Sequence, residues 1–145
     1  MKIAALLASF VFASVSLAAS PPPPTDVVLL DHAKLDAAFV KGGSLLANAR
    51  FKIMAGHREA PGAVEIHDHD TDILYILEGS ATFVTNGTTV EPKTVEPGEI
   101  RAKAITGGVP HHLVKGDVIV IPKGIPHWFT EVNGPFLYFV VKTTD

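Results

Sequence analysis

The sequence contains no cysteine. That excludes disulfide bridges, a thiol nucleophile, thiolate metal ligands and acylation of a lipoprotein cysteine, so any bound metal must be held by nitrogen and oxygen donors. Charge is scarce as well: charged residues make up 19% of the chain and the formal net charge is −3. With no excess of Lys and Arg and no basic patch, the chain is a poor electrostatic partner for nucleic acid or an anionic membrane. No apolar run reaches the ~20 residues of a membrane-spanning helix. There is no phosphate-cradling glycine loop and no Ser/His/Asp arrangement to support other catalysis. No internal repeat breaks up the 145 residues, and their 47% hydrophobic content suits one globular domain.

What is present begins with Lys2, an apolar run over residues 3–17 and small residues around Ala18. This pattern predicts a secretory signal peptide over residues 1–18, cleaved after Ala18, and therefore a periplasmic or secreted protein with no membrane association after cleavage. Cleavage removes one positive charge and leaves the mature chain mildly acidic. Residues 19–26, with four consecutive prolines from Pro21, read as an extended spacer, and the domain proper occupies residues 27–145. Leu35, Ala38 and Phe39 recur at helical spacing between a candidate N-cap, Asp31, and the Gly42-Gly43 stop, which predicts one short helix over residues 31–41. His32 in its first turn reads as a surface histidine.

Beyond Leu45 the chain alternates short apolar stretches with turn residues. Strands are expected at residues 49–57, 63–67, 73–77, 81–85, 88–91, 99–105, 112–114, 118–121, 128–131 and 136–142. Pro61-Gly62, Asn86-Gly87, Pro97-Gly98 and Asn133-Gly134 are turn signals, because Pro presets φ and Gly or Asn tolerates positive φ. Many short strands at this spacing predict an all-β sandwich or barrel.

Two stretches carry chemistry. In residues 62–79, GAVEIHDHDTDILYILEG, a continuous strand would put His67 and His69 on one face about 7 Å apart. Asp72 follows at a spacing that lets a turn return its carboxylate toward them, a donor set suited to a divalent transition metal. Glu65 shares the parity of both histidines and is the alternative ligand, paired with His67, or else a partner that supports the ligands from behind. In residues 116–131, GDVIVIPKGIPHWFTE, a buried strand runs into a Pro/Gly turn that ends at His127, which supplies a third imidazole.

Together these stretches resemble the cupin superfamily, whose motifs run Gly-x5-His-x-His-x3 or x4-Glu-x6-Gly and Gly-x5-Pro-x-Gly-x2-His-x3-Asn. The second motif matches at Gly116, Pro122, Gly124 and His127, with Glu131 in place of Asn. The first is looser: Gly62, His67, His69 and Gly79 match, but one residue is missing before the acid, which is Asp72 rather than Glu. The resemblance implies a single double-stranded β-helix, a jelly-roll barrel, preceded by the short helix. It further implies one divalent transition metal (Fe, Mn, Zn, Ni or Cu) on His67, His69, Asp72 and His127, and a substrate pocket walled by His57, Leu74, Ile76, Phe129 and Glu131. Tyr75 and Leu77 have the opposite parity and are expected in packing or in a homodimer interface, and His111 and His112 at a strand edge. The implied activity is small-molecule oxidation of the dioxygenase type. An isomerase or lyase in which Glu131 or His57 moves a proton is the alternative, and a non-enzymatic ligand-binding module is a third reading.

Overall fold

The computed structural model describes residues 19–145, so the expected signal peptide lies outside the described residues. Residues 19–30 are without regular structure and mostly exposed, and the Pro21 carbonyl accepts a hydrogen bond from Ala49 N–H at 2.8 Å. Asp31 caps the helix as expected, its Oδ1 accepting the Lys34 N–H at 3.0 Å, and α1 runs His32–Phe39. Its inward side is formed by Leu35, Ala38 and Phe39, all half-buried, while His32 is exposed. Gly42, at φ +76°, reverses the chain into the first strand.

Eleven strands follow: β1 Gly43–Ala47, β2 Phe51–Arg58, β3 Val64–His67, β4 Asp70–Thr85, β5 Thr88–Val90, β6 Lys93–Glu96, β7 Glu99–Ala102, β8 Ala104–Thr106, β9 Val109–Val114, β10 Val118–Ile121 and β11 His127–Thr144. Nine form one curled antiparallel sheet, in which β11 pairs with β2, β3 and β4, and β4 pairs also with β9 and β10. Strands β5 and β8 make a separate pair. The expected all-β jelly-roll barrel with one short helix is the fold observed.

Its two longest strands correct the strand count drawn from sequence. Gly79 and Asn133-Gly134 read as strand ends, but β4 and β11 run through them and bend together. The β11–β4 register shifts between Asn133 and Leu137, opposite Gly79, which sits at φ +76°. A Cβ on Gly79 would lie 2.7 Å from the Pro135 carbonyl oxygen, so only glycine fits this corner. Strand β1 escaped notice behind the Gly-Gly stop. Strand β6 did so because all four of its residues are exposed and carry no buried-face periodicity.

The core follows the strand parity. Leu74, Ile76, Ala81 and Phe83 of β4 meet Phe129, Phe136, Tyr138 and Val140 of β11, with Leu113 and Ile121 closing the cluster. Phe129 stands at its centre, its ring centroid 4.5 Å from Phe83, 5.5 Å from Phe136 and 5.4 Å from Tyr138. Tyr75 points outward as its parity requires and is 46% exposed. Along both long strands the inward row turns polar at one end: Asp72 follows Leu74, and Lys142, its cross-strand partner, follows Val140. A site is built where the apolar core stops.

Candidate functional site

Strand β3 alternates, so Glu65 and His67 share a face, and β11 begins beside it with His127 paired across from Glu65. The Pro/Gly turn before His127 locks this approach: Ile125 N–H closes onto the Pro122 carbonyl at 3.2 Å, and Gly124 N–H donates to the His67 carbonyl at 2.8 Å. Gly124 adopts φ +78°, which is why this turn needs glycine. One ligand atom from each of Glu65, His67 and His127 then lies within 4.8 Å of the others. The two imidazole centroids are 5.1 Å apart.

Both rings are oriented from behind. His67 Nδ1 donates to Glu99 Oε2 at 2.8 Å and His127 Nδ1 to the Ile125 carbonyl at 3.0 Å. Each Nε2 is thereby left as the acceptor nitrogen turned toward the cluster, the arrangement that metal-binding histidines require. His67 Nε2 lies 3.6 Å from Glu65 Oε2 and 3.5 Å from Asp72 Oδ2.

The cluster also contains a cation of its own. Lys142 Nζ donates to Asp72 Oδ2 at 2.6 Å and to His67 Nε2 at 2.8 Å, and its side chain is only 12% exposed. Burial presses the His67 pKa down, but the hydrogen bond and charge of Asp72, with the charge of Glu99, outweigh it and leave His67 above its ordinary value. For Asp72 burial acts upward, and the His67 and Lys142 contacts overcome it to hold the carboxyl below its usual range. His127 is lowered, because burial dominates over its contact with the Ile125 carbonyl. The donor set fits a divalent metal ion once Lys142 gives up the His67 Nε2: one carboxylate, two imidazoles, and a second carboxylate whose Oδ1 is buried without a hydrogen-bond partner.

A cavity of about 740 Å³ opens onto the cluster. Of the residues expected there, His57, Glu65, His67, Asp72, Leu74, His127 and Phe129 line it. His57 is tied up at its rim, its Nδ1 2.7 Å from the Phe39 carbonyl oxygen, a contact that raises its pKa.

Three expected residues are not brought in. Strand β3 ends at His67 and the chain bends at Asp68 and His69, so the assumed alternation stops one residue too early and His69 lies exposed against Gly98. Ile76 is fully buried in the core beneath. Glu131 is exposed, accepting the Thr82 hydroxyl at 2.8 Å, because the β11–β4 register shifts between Phe129 and Glu131. Neither His111 nor His112 lines the cavity; His111 Nε2 contacts the Thr85 hydroxyl at 2.9 Å.

Lys142, Glu99 and Arg58 are the most consequential of the cavity residues that sequence reasoning left out of the site. A signal existed for Lys142: it continues the inward row of Phe136, Tyr138 and Val140, and a lysine on a core-facing phase is unusual. None existed for Glu99, whose role depends on the β3–β7 pairing that sets it opposite His67.

A family model described as Cupin matches residues 52–145. No curated protein sequence matches the chain. Among solved structures, the fold resembles DMSP lyase DddQ from Ruegeria pomeroyi (TM-score 0.51, 19% identity, covering 72% of this chain and 47% of that one). It also resembles a Bacillus halodurans protein (TM-score 0.59, 13% identity, 87% and 86% covered) and the Schizosaccharomyces pombe Cnp3 cupin domain (TM-score 0.51, 16% identity, 72% and 61% covered). The chain thus spans about half the length of the lyase, and identities this low speak to fold alone.

Proposed function

This chain belongs to the cupin family, and from that premise we propose that it is an exported metalloenzyme that moves a proton on a small molecule held in its cavity, the chemistry of an isomerase or lyase. The observation that carries this reading is Lys142: a proton-bearing amine 2.6 Å from Asp72, inside the cavity and beside the Glu65, His67 and His127 donors. Glu65, His67 and His127 are the proposed ligands, with Asp72 the carboxylate beside them. A divalent ion, one of Fe, Mn, Zn, Ni or Cu, supplies Lewis-acid polarisation of a substrate oxygen when bound there. A metal held by Glu65, His67 and His127 alone would keep room for substrate, which favours a catalytic over a purely structural role.

The chain's own residues do the rest. Glu99 and the Ile125 carbonyl hold the two imidazoles in one tautomer. Asp72 holds the Lys142 amine aimed into the cavity, so Lys142 is the group that gives and recovers the proton. Leu74, Phe83 and Phe129 exclude water from that side of the cavity. The same apolar wall favours a second reading, the dioxygenase chemistry expected from the resemblance. Incubating metal-loaded protein with small carbonyl and hydroxy compounds in deuterated water separates the two. Solvent deuterium in the product, lost in Lys142→Met, supports proton transfer; oxygen consumption without exchange overturns it in favour of oxygenation. A homodimer remains part of the proposal, resting on the outward strip of Tyr75, Val118 and Val120, and sedimentation tests it.

A further inference from the structure

The cations along the cavity wall are not equivalent. Lys52, Arg101 and Lys142 each close an ion pair, with Asp70 at 2.9 Å, Glu99 at 3.2 Å and Asp72 at 2.6 Å. Lys41 is exposed at the rim. Arg58 is held differently. Its Nε donates to the Tyr138 hydroxyl at 2.9 Å and its guanidinium carbon stands 4.6 Å over the Phe129 ring, while its Nη2 makes one long ion pair, donating to Glu65 Oε1 at 3.5 Å. A guanidinium fixed mainly by a hydroxyl and an aromatic face, with a single long carboxylate contact, keeps N–H groups available for a second anion.

Two glycines make room for this pair. A Cβ at Gly56, opposite Tyr138 on the neighbouring strand, would fall about 2.4–2.6 Å from Tyr138 ring atoms; one at Gly62 would fall 2.5 Å from Arg58 Nη1. Neither glycine has positive φ, so clearance rather than backbone freedom accounts for both. The Phe129 and Tyr138 rings stand against Arg58, and Leu74 and Val140 add apolar lining elsewhere in the same cavity, which suits an organic body rather than a bare ion.

We infer that Arg58 is a carboxylate receptor, and that the small molecule taken by the cavity is a monocarboxylate with an apolar body. The inference rests on the reading of this cavity as a substrate site. A planar guanidinium matches a carboxylate in a two-point pair. A single fork beside the carboxylates of Glu65, Asp72 and Glu99, which line the same cavity, disfavours a phosphate dianion. Glu65 lies between Arg58 and His67, so a carboxylate held by Arg58 keeps the adjoining carbons within reach of the ligand cluster.

The test is calorimetric titration of the zinc-loaded full domain with benzoate, 4-methylpentanoate, benzamide and phenyl phosphate, with zinc content measured in every variant. Saturable binding of a carboxylate, at least about 10-fold tighter than benzamide and weakened at least about 10-fold in Arg58→Gln, supports the assignment. Arg58→Lys is expected to recover part of the loss, and Gly62→Ala to reproduce it without removing a charge. Carboxylate affinity unchanged in Arg58→Gln, phenyl phosphate binding tighter than benzoate, or no binding of either carboxylate by zinc-loaded protein overturns it. Arg58-dependent benzoate binding in protein that takes up no zinc would leave this inference standing and remove the metal site instead.

Discussion

Glu65 to His67 and the next residues, His69 and Asp70, offer the same donor types within six positions, yet they face different environments. His67 is 4% exposed, backed by Glu99 and aimed into the cavity, whereas His69 sits in an exposed bend over a separate small hollow lined by Lys52, Asp70 and Gly98. Asp70 is buried too, but it is spent on Lys52 at 2.9 Å and the Thr144 hydroxyl at 2.6 Å. What separates the inner group from the outer one is where a strand stops. Composition and spacing do not distinguish them; a carboxylate behind His67 and a backbone carbonyl behind His127 do.

The sharpest way to break this comparison is to remove an inner imidazole. His67→Ala and His127→Ala are each expected to bring metal content close to background in elemental analysis while the β-rich circular dichroism spectrum persists. Retention of metal at the parent level in either would dissolve the inner group as a site.

Lys142→Met has two expected effects of opposite sign. In metal-free protein it leaves buried Asp72 with His67 at 3.5 Å as its remaining partner, a loss of up to about 3 kcal/mol in urea unfolding. In metal binding it removes an ammonium that competes for the His67 Nε2 lone pair, so affinity rises, read by competition with a fluorescent chelator. Weaker metal binding in this variant would mean that Lys142 supports the ligand set instead of opposing it.

Glu65→Gln and His69→Ala compare the two groups directly. The first is expected to weaken metal binding by more than the roughly 10- to 100-fold typical of a supporting residue. The second is expected to leave affinity within a few-fold. The reverse order would restore His69 to the ligand set.

Acid should act on the two groups at different pH. His67, with its raised pKa, protonates first as pH falls from about 7 toward 5, so metal affinity and the stabilisation it brings fall in that window. In metal-free protein the raised His67 contributes stability that is present below about pH 6.5 and lost as pH rises through its folded value; the lowered His127 contributes in the opposite sense, so the two offset each other. Asp70 and Asp72, both held low, contribute stability that is present above about pH 4 and lost as pH falls through their folded values. Melting curves with and without chelator are expected to converge near pH 5 and then to fall together in stronger acid. The smallest effect is expected from Asp70→Asn, about 1–3 kcal/mol of stability with metal content unchanged.

Much of this was legible because it is local. Pro122, Gly124 and Pro126 dictate a turn whose shape depends on little outside it, so His127 could be placed from its own motif. Alternation within residues 72–76 was enough to separate inward Asp72 and Leu74 from outward Tyr75. The short helix followed from capping and periodicity, and the density of turn residues pointed to an all-β sandwich or barrel, which the cupin resemblance narrowed to the barrel.

What tertiary structure alone decided depends on contacts across the chain. Strand β3 ends at His67 because Asp68 N–H turns to the Gly98 carbonyl at 2.9 Å, 30 residues away, and that bend takes His69 out of the inner group. Lys142 meets Asp72 across 70 residues and His67 across 75, through the register of β11 on β4. Parity can say that Lys142 faces inward, but which carboxylate stands opposite depends on the register shift at Gly79. The amino-acid sequence by itself determined the barrel and the residue types able to hold a cation; the ends and register of the strands determined which of them meet, because side-chain period tells the face of a strand but not its partner.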